Sequence, residues 1–194
     1  MALTALDRTA ALVAIDLQNG IVGIPTRPHA PSEVVARTVR LAEAFRAAFR
    51  PVVLVRVSLR PDGTDAAPGR TERPSRTGTP PAGWDDIVPQ LAGDPGDIVV
   101  TKRNWGAFHG TDLDVQLRRR GVTQIVLTGI ATSAGVESTA RAAHEHGYHV
   151  TTVTDAMADR DDEMHRHAVE RIFPRLGETG TTEEVLALLR PRVR

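Results

Sequence analysis

Apolar runs recur along the chain at residues 11–15, 52–57, 98–100, 125–127 and 150–153, several of them β-branched and nearly unbroken. A strand with one wet face would alternate apolar with polar, so continuous runs predict strands covered on both faces, as in a parallel sheet between helices. Between the runs the period changes to 3.6. Over residues 32–50 the apolar positions Val34, Val35, Val39, Leu41, Ala42, Phe45 and Phe49 form one stripe, opened by Pro31 and Ser32 and closed by Pro51. Further helices are predicted at about 133–147, at 161–173 before Pro174, and at 182–189, where Thr181 and Glu184 can form a capping box. Thr111 with Asp114 has the same spacing, and Arg118 to Arg120 followed by Gly121 place positive charge at the negative end of that helix. Strands alternating with helices give a three-layer α/β/α fold.

One stretch breaks the rhythm. Residues 60–83 carry Pro61, Pro68, Pro74, Pro80 and Pro81 with Gly63, Gly69, Gly78 and Gly83, which predicts a long loop. Arg60, Arg70, Arg73 and Arg76 make it basic, so it reads either as a lid that clamps a carboxylate or as a solvated loop. The length of 194 residues suits one domain, 1–194, able to bury roughly 70% of the surface its unfolded form exposes. With 24 basic against 24 acidic side chains and 4% aromatics, neither an electrostatic footprint nor a stacking platform for nucleic acid is present. Asp7, Arg8 and Asp16 interrupt the N-terminal apolar stretch before a leader could form, and no window is apolar enough to span a membrane. A cytoplasmic protein is expected, its basic end (Arg190, Arg192, Arg194) a frayed tail. Cysteine is absent, which excludes disulfides, zinc ribbons and every thiol nucleophile.

In open α/β sheets the functional crevice lies beyond the carboxyl ends of the strands, so the residues closing each apolar run carry the candidate chemistry. Asp16 closes the first, in Ala-Leu-Val-Ala-Ile-Asp-Leu-Gln-Asn, where a carboxylate after a buried strand needs a partner or a raised pKa; taken alone it could cap a turn. Lys102 closes the third, in Ile-Val-Val-Thr-Lys-Arg-Asn-Trp-Gly-Ala-Phe-His; taken alone it would be a surface lysine. The fourth runs into Thr-Gly-Ile-Ala-Thr-Ser-Ala-Gly-Val-Glu-Ser, small residues opening a helix whose amides can face an anion or a developing oxyanion.

Together these three stretches resemble the isochorismatase-like hydrolase family, over nearly the whole chain from Thr9 to Leu189. The resemblance implies a six-stranded parallel sheet of order 3-2-1-4-5-6 and a catalytic set of aspartate, lysine and usually cysteine. The first two map onto Asp16 and Lys102, and the third onto Gly135. The resemblance further implies a cis peptide between Ile130 and Ala131 that aims the Ala131 amide into the pocket, a small-molecule substrate, no cofactor, and a homodimer or higher homo-oligomer. Isochorismatases in the family also carry glycine at the third position and hydrolyse a vinyl ether without a covalent intermediate. In that scheme a protonated Asp16 supplies the proton and Lys102 orients it, which requires burial or substrate carboxylates to oppose the lysine's pull on the pKa.

Around this set, Gln18 and Asn19 either contact a ligand or close a turn, and Trp105 and Phe108 either wall the pocket or pack in the core. Arg60 stands about where isochorismatases place a glutamine, which points to a different substrate. Thr132, Ser133 and Ser138 read as helix-start caps with no histidine beside them to act as base, Glu137 as a complement to the helix dipole, and His109 as a loop contact at the pocket mouth. The metal-binding Asp-x-His element of the nicotinamidase branch is replaced by Arg56-Val57-Ser58-Leu59-Arg60-Pro61, and the pairs His144/His146 and His165/His167 point to opposite helix faces, so no metal is expected. The competing reading is a degenerate member that binds a small molecule without turning it over.

Overall fold

The computed structural model describes residues 3–67, 69–72 and 79–189. Arg73, Arg76 and three of the loop's prolines and glycines (Pro68, Pro74, Gly78) lie outside the described residues, as do the tail arginines 190, 192 and 194. Six parallel strands, β1 (Ala10–Ile15), β2 (Val52–Val57), β3 (Ile98–Lys102), β4 (Gln124–Ile130), β5 (His149–Ala158) and β6 (Glu178–Gly180), form one sheet in the order β3-β2-β1-β4-β5-β6. The central strand β1 is buried along its whole length, as its unbroken apolar run requires.

Its two sets of alternate side chains enter two separate cores. Ala10, Leu12 and Ala14 meet Val34, Leu41 and Phe45 of α2 (Pro31–Ala47), which follows the short α1 (Asn19–Val22). Ala11, Val13 and Ile15 meet Leu113 and Leu117 of α3 (Leu113–Arg119) and Ala140 and Ala143 of α4 (Glu137–Glu145). Phe173, in a 3-10 turn at the end of the helical stretch begun by α5 (Asp162–His167), joins this second core, and Val185 of α6 (Thr182–Leu189) joins the first.

Several elements differ from the pattern-based expectation. The stripe through Phe49 stops short: α2 ends at Ala47, Phe49 takes φ +54°, and its ring is 98% exposed. A left-handed residue just past a helix end reverses the chain and turns its side chain outward. The capping box at Thr111 and Asp114 does not form. Asp112 starts α3, the Thr111 hydroxyl donates to the Ala107 carbonyl at 2.5 Å, and Asp114 accepts from Tyr148 (2.7 Å) and Arg118 (3.2 Å). Arg118 also lies 4.3 Å above the Tyr148 ring, a structural use of the arginine run. The Thr181 and Glu184 box does form, at 2.7 and 3.3 Å. Among the described residues between 58 and 97 there is no helix or strand, and β6, only three residues of Glu-Thr-Gly, has no apolar run to announce it.

At the carboxyl end of the sheet, β1 and β4 come unusually close. Gly129, at φ +125°, approaches β1 so nearly that a Cβ there would sit 2.1 Å from the Ile15 carbonyl oxygen. Only glycine permits this approach, which sets the end of β4 directly against Ile15 and Asp16.

Candidate active site

Asp16 leaves β1 with φ +54°, a left-handed conformation that costs an L-residue energy and that aspartate tolerates better than most. Its amide stays in the sheet, donating to the Val55 carbonyl at 2.9 Å, while the carboxyl turns over the strand end. Lys102 closes β3, 86 positions away, and its Nζ donates to Asp16 Oδ2 at 2.7 Å and to the Asn104 carbonyl at 3.2 Å. Asp16 is 6% and Lys102 2% exposed. Asp16 Oδ1, also buried, has no hydrogen-bond partner among the described residues.

Burial and the lysine act on the Asp16 carboxyl in opposite directions. Desolvation is the larger effect and pushes the carboxyl up to about 6, against the charge and hydrogen bond of Lys102, which pull it down. The competition that sequence left open is thus decided in favour of burial.

The peptide between Ile130 and Ala131 is cis. After it the chain makes a π-helical turn, Thr132–Val136, before α4 begins; the Ala131 carbonyl accepts from the Ala134 and Val136 amides, both at 3.2 Å. The wider turn brings Gly135 onto the carboxylate. A Cβ built there would lie 3.1 Å from Asp16 Oδ2, 2.8 Å from Ile15 Cγ2 and 3.5 Å from the Trp105 carbonyl oxygen. Asp16, Lys102 and Gly135 therefore converge, as their three strand ends suggested.

Residues 10–184 match the isochorismatase domain family. The chain is 48% identical over 178 residues to the isochorismatase family protein YwoC of Bacillus subtilis (strain 168), covering 91% of this chain and 92% of that one. The chain belongs to the isochorismatase family. An isochorismatase family protein from Burkholderia thailandensis superposes with a TM-score of 0.92 at 51% identity, covering 95% of this chain and 97% of the other. More distantly, the ureidoacrylate amidohydrolase RutB of Methylobacterium radiotolerans is 33% identical over 195 residues, covering 87% of this chain and 75% of RutB. The isochorismatase family is hydrolytic, and amidohydrolases are among the relatives of this member.

Within this isochorismatase-family site the other candidates separate. Gln18 is wholly buried and spends its amide on the backbone: Oε1 accepts from the Val57 amide at 2.8 Å, and Nε2 donates to the carbonyls of Val57 (3.0 Å) and Trp84 (3.4 Å). It ties β2 to the long loop. Asn19 does the same, Nδ2 donating to the Gly83 carbonyl at 3.0 Å. The Arg60 guanidinium meets Asp62 at 3.4 Å and its amide donates to Asp65 at 2.8 Å, so the residue closes a local turn. Asp65 also accepts from Arg103 at 2.6 Å, which ties this part of the loop to the residue after Lys102.

The two aromatic candidates part company. Phe108 is 8% exposed, stacks on His146 at 5.0 Å and packs beside Tyr148 at 5.8 Å, in the core. Trp105 is 70% exposed, and its carbonyl oxygen borders Gly135. Ile130 packs in the α2 core, so it and Ala131 frame the site through their peptide. Ser133 gives its amide to Asp159 Oδ2 at 2.7 Å, and the residues at the N-caps of the π-turn and α4, Ala131 and Val136, make no side-chain capping bond. His109 is exposed. Among the described residues no group of three or more histidine or acidic side chains is placed to hold a metal ion.

One pair escaped sequence reading. The Thr132 hydroxyl, assigned to capping with no histidine nearby, shares a 2.8 Å hydrogen bond with His165 Nδ1 of α5. The two residues are 33 positions apart, and the only signal on offer was a histidine on the buried face of an amphipathic helix.

Proposed function

We propose that this protein hydrolyses a small carboxylated substrate of the vinyl-ether type by acid catalysis, with Asp16 as proton donor and no covalent intermediate. The observation that carries this reading is the buried Asp16 and Lys102 pair, with a carboxyl raised to about 6, facing a glycine in a chain without cysteine. Lys102 engages Oδ2, so the transferable proton resides on Oδ1, the oxygen with no partner. Oδ1–H gives its proton to the terminal vinyl carbon, and the ether oxygen stabilises the resulting oxocarbenium ion. Water adds to the oxocarbenium carbon, the one that bears the ether oxygen, and returns a proton to the Asp16 carboxylate, giving a hemiketal. Collapse of the hemiketal breaks the remaining C–O bond and releases a ketone and an alcohol. A positioned general acid contributes on the order of 10² to 10⁴ in rate, and at pH 7 a carboxyl titrating at about 6 is protonated in about one molecule in ten.

The test is a turnover panel of isochorismate, other enol ethers, ureidoacrylate and small carbamoyl amides, offered to the wild type and to Asp16→Asn. Enol-ether turnover by the wild type that is lost in the variant supports the reading; turnover of amides alone contradicts it. A second reading, a binding protein that retains the pair as a buried ion pair, is favoured by the 2.7 Å contact itself, since such pairs persist for structural reasons. It is supported if a compound of the panel raises the melting temperature and none is consumed.

A further inference from the structure

The turn that carries Gly135 is fixed at two points outside the reacting groups. On one side Asp159, at the end of β5, accepts from the Ser133 amide at 2.7 Å, and its own backbone pairs with Arg27 at 2.7 and 2.8 Å. On the other side stands the hydrogen bond between Thr132 and His165. Thr132 immediately follows Ala131, whose amide belongs to the cis peptide and whose carbonyl closes the π-turn.

A hydroxyl beside an imidazole is also the arrangement of an activated nucleophile. Thr132, however, is wholly buried with its hydroxyl bonded to His165. What the pair can do is hold the turn. We propose that His165 is a positioning residue, which through Thr132 locks the π-turn so that Gly135 stays registered on the Asp16 carboxyl. His165 suits the task because it remains neutral: burial and the nearby His29, at 6.4 Å between ring centroids, lower its pKa, against the pull of Asp159 and Asp162. A neutral ring forms this bond without placing a second charge beside Asp159. The kinetic consequence rests on the function proposed above, whereas the positioning role does not.

The experiment reads the turn without turnover. Amide hydrogen exchange and the carbon-13 titration of Asp16 are followed by NMR in His165→Phe, His165→Asn, Thr132→Val and Thr132→Ser. Loss of the bond in His165→Phe or Thr132→Val is expected to speed exchange of the Ala134 and Val136 amides about tenfold. Water admitted to the loosened site is expected to lower the Asp16 titration from about 6 toward the ordinary carboxylate range. His165→Asn and Thr132→Ser retain a hydrogen-bonding atom and are expected to recover most of both effects. Should His165→Phe not fold, Thr132→Val against Thr132→Ser decides alone. Unchanged exchange in both deletion variants, or conservative variants no better than the deletions, overturns the proposal. Where the panel above yields a substrate, the deletions lower kcat with KM little changed. Where it yields none, exchange and titration still decide the role of His165, and only the proposed reaction fails.

Discussion

Replacing Asp16 by asparagine is expected to abolish turnover and, at neutral pH, to stabilise the protein. The carboxyl titrates at about 6 in the folded chain against 3.8 as an ordinary aspartate, so the folded state binds the proton more tightly than the unfolded state does. Ionised Asp16 is therefore a net cost of folding even with Lys102 beside it. A rise of about two units corresponds to about 3 kcal/mol. The sign follows from linkage: below the unfolded value both states are protonated and the cost is absent; it grows between pH 4 and 6 and is complete above. Asparagine reproduces the neutral carboxyl, keeps an oxygen for the Lys102 ammonium and tolerates the φ of +54°. For a chain of this length about 3 kcal/mol amounts to roughly 6–12 °C in Tm. Urea and thermal unfolding of both proteins at pH 4, 6 and 8 measure it. The stability difference should be near zero at pH 4 and largest at pH 8. A variant less stable than wild type at pH 8, or a difference indifferent to pH, would refute the reasoning.

Removing the lysine isolates the opposing effect: Lys102→Met should raise the Asp16 pKa further, by about 1–3 units above its wild-type value, in a carbon-13 titration; no rise would mean the ammonium does not act on the carboxyl. Gly135→Ala places a methyl 2.8 Å from Ile15 Cγ2 and 3.1 Å from Asp16 Oδ2, inside a β-branched, fully buried neighbour with little freedom to yield. It should cost about 1–3 kcal/mol in urea unfolding and most of the turnover. Gln18→Ala strands the partly buried Val57 amide and should cost about 1–3 kcal/mol with KM unchanged, whereas a raised KM at full stability would return Gln18 to the ligand.

The sequence made the sheet legible because β1, β2 and β4 are buried on both faces and so read as apolar runs. The three strand ends bearing Asp16, Lys102 and the segment to Gly135 could be found because the crevice of such a sheet lies where its apolar runs stop, although edge strand β3 leaves Val99 56% exposed. What stayed hidden depends on partners distant in the chain. Gln18 looks identical whether its amide meets a ligand or the backbone of Val57, and only the return of the loop at Trp84 decides. Phe108 is a core residue because His146 and Tyr148 come to it, and Trp105, three residues before, finds no such cover. Arg60 was claimed by an aspartate two residues on, a local contact weaker in the pattern than the family analogy. The Thr132 and His165 bond joins β4's turn to α5, and spacing within α5 says nothing about it.

The pH dependence of kcat/KM for enol-ether hydrolysis tests the role of Asp16 most directly. With Asp16 as the acid, the rate should be level below about pH 6 and fall tenfold per unit above it, following the protonated fraction. A rate that instead climbs through pH 6 would make the carboxylate a base and contradict the account.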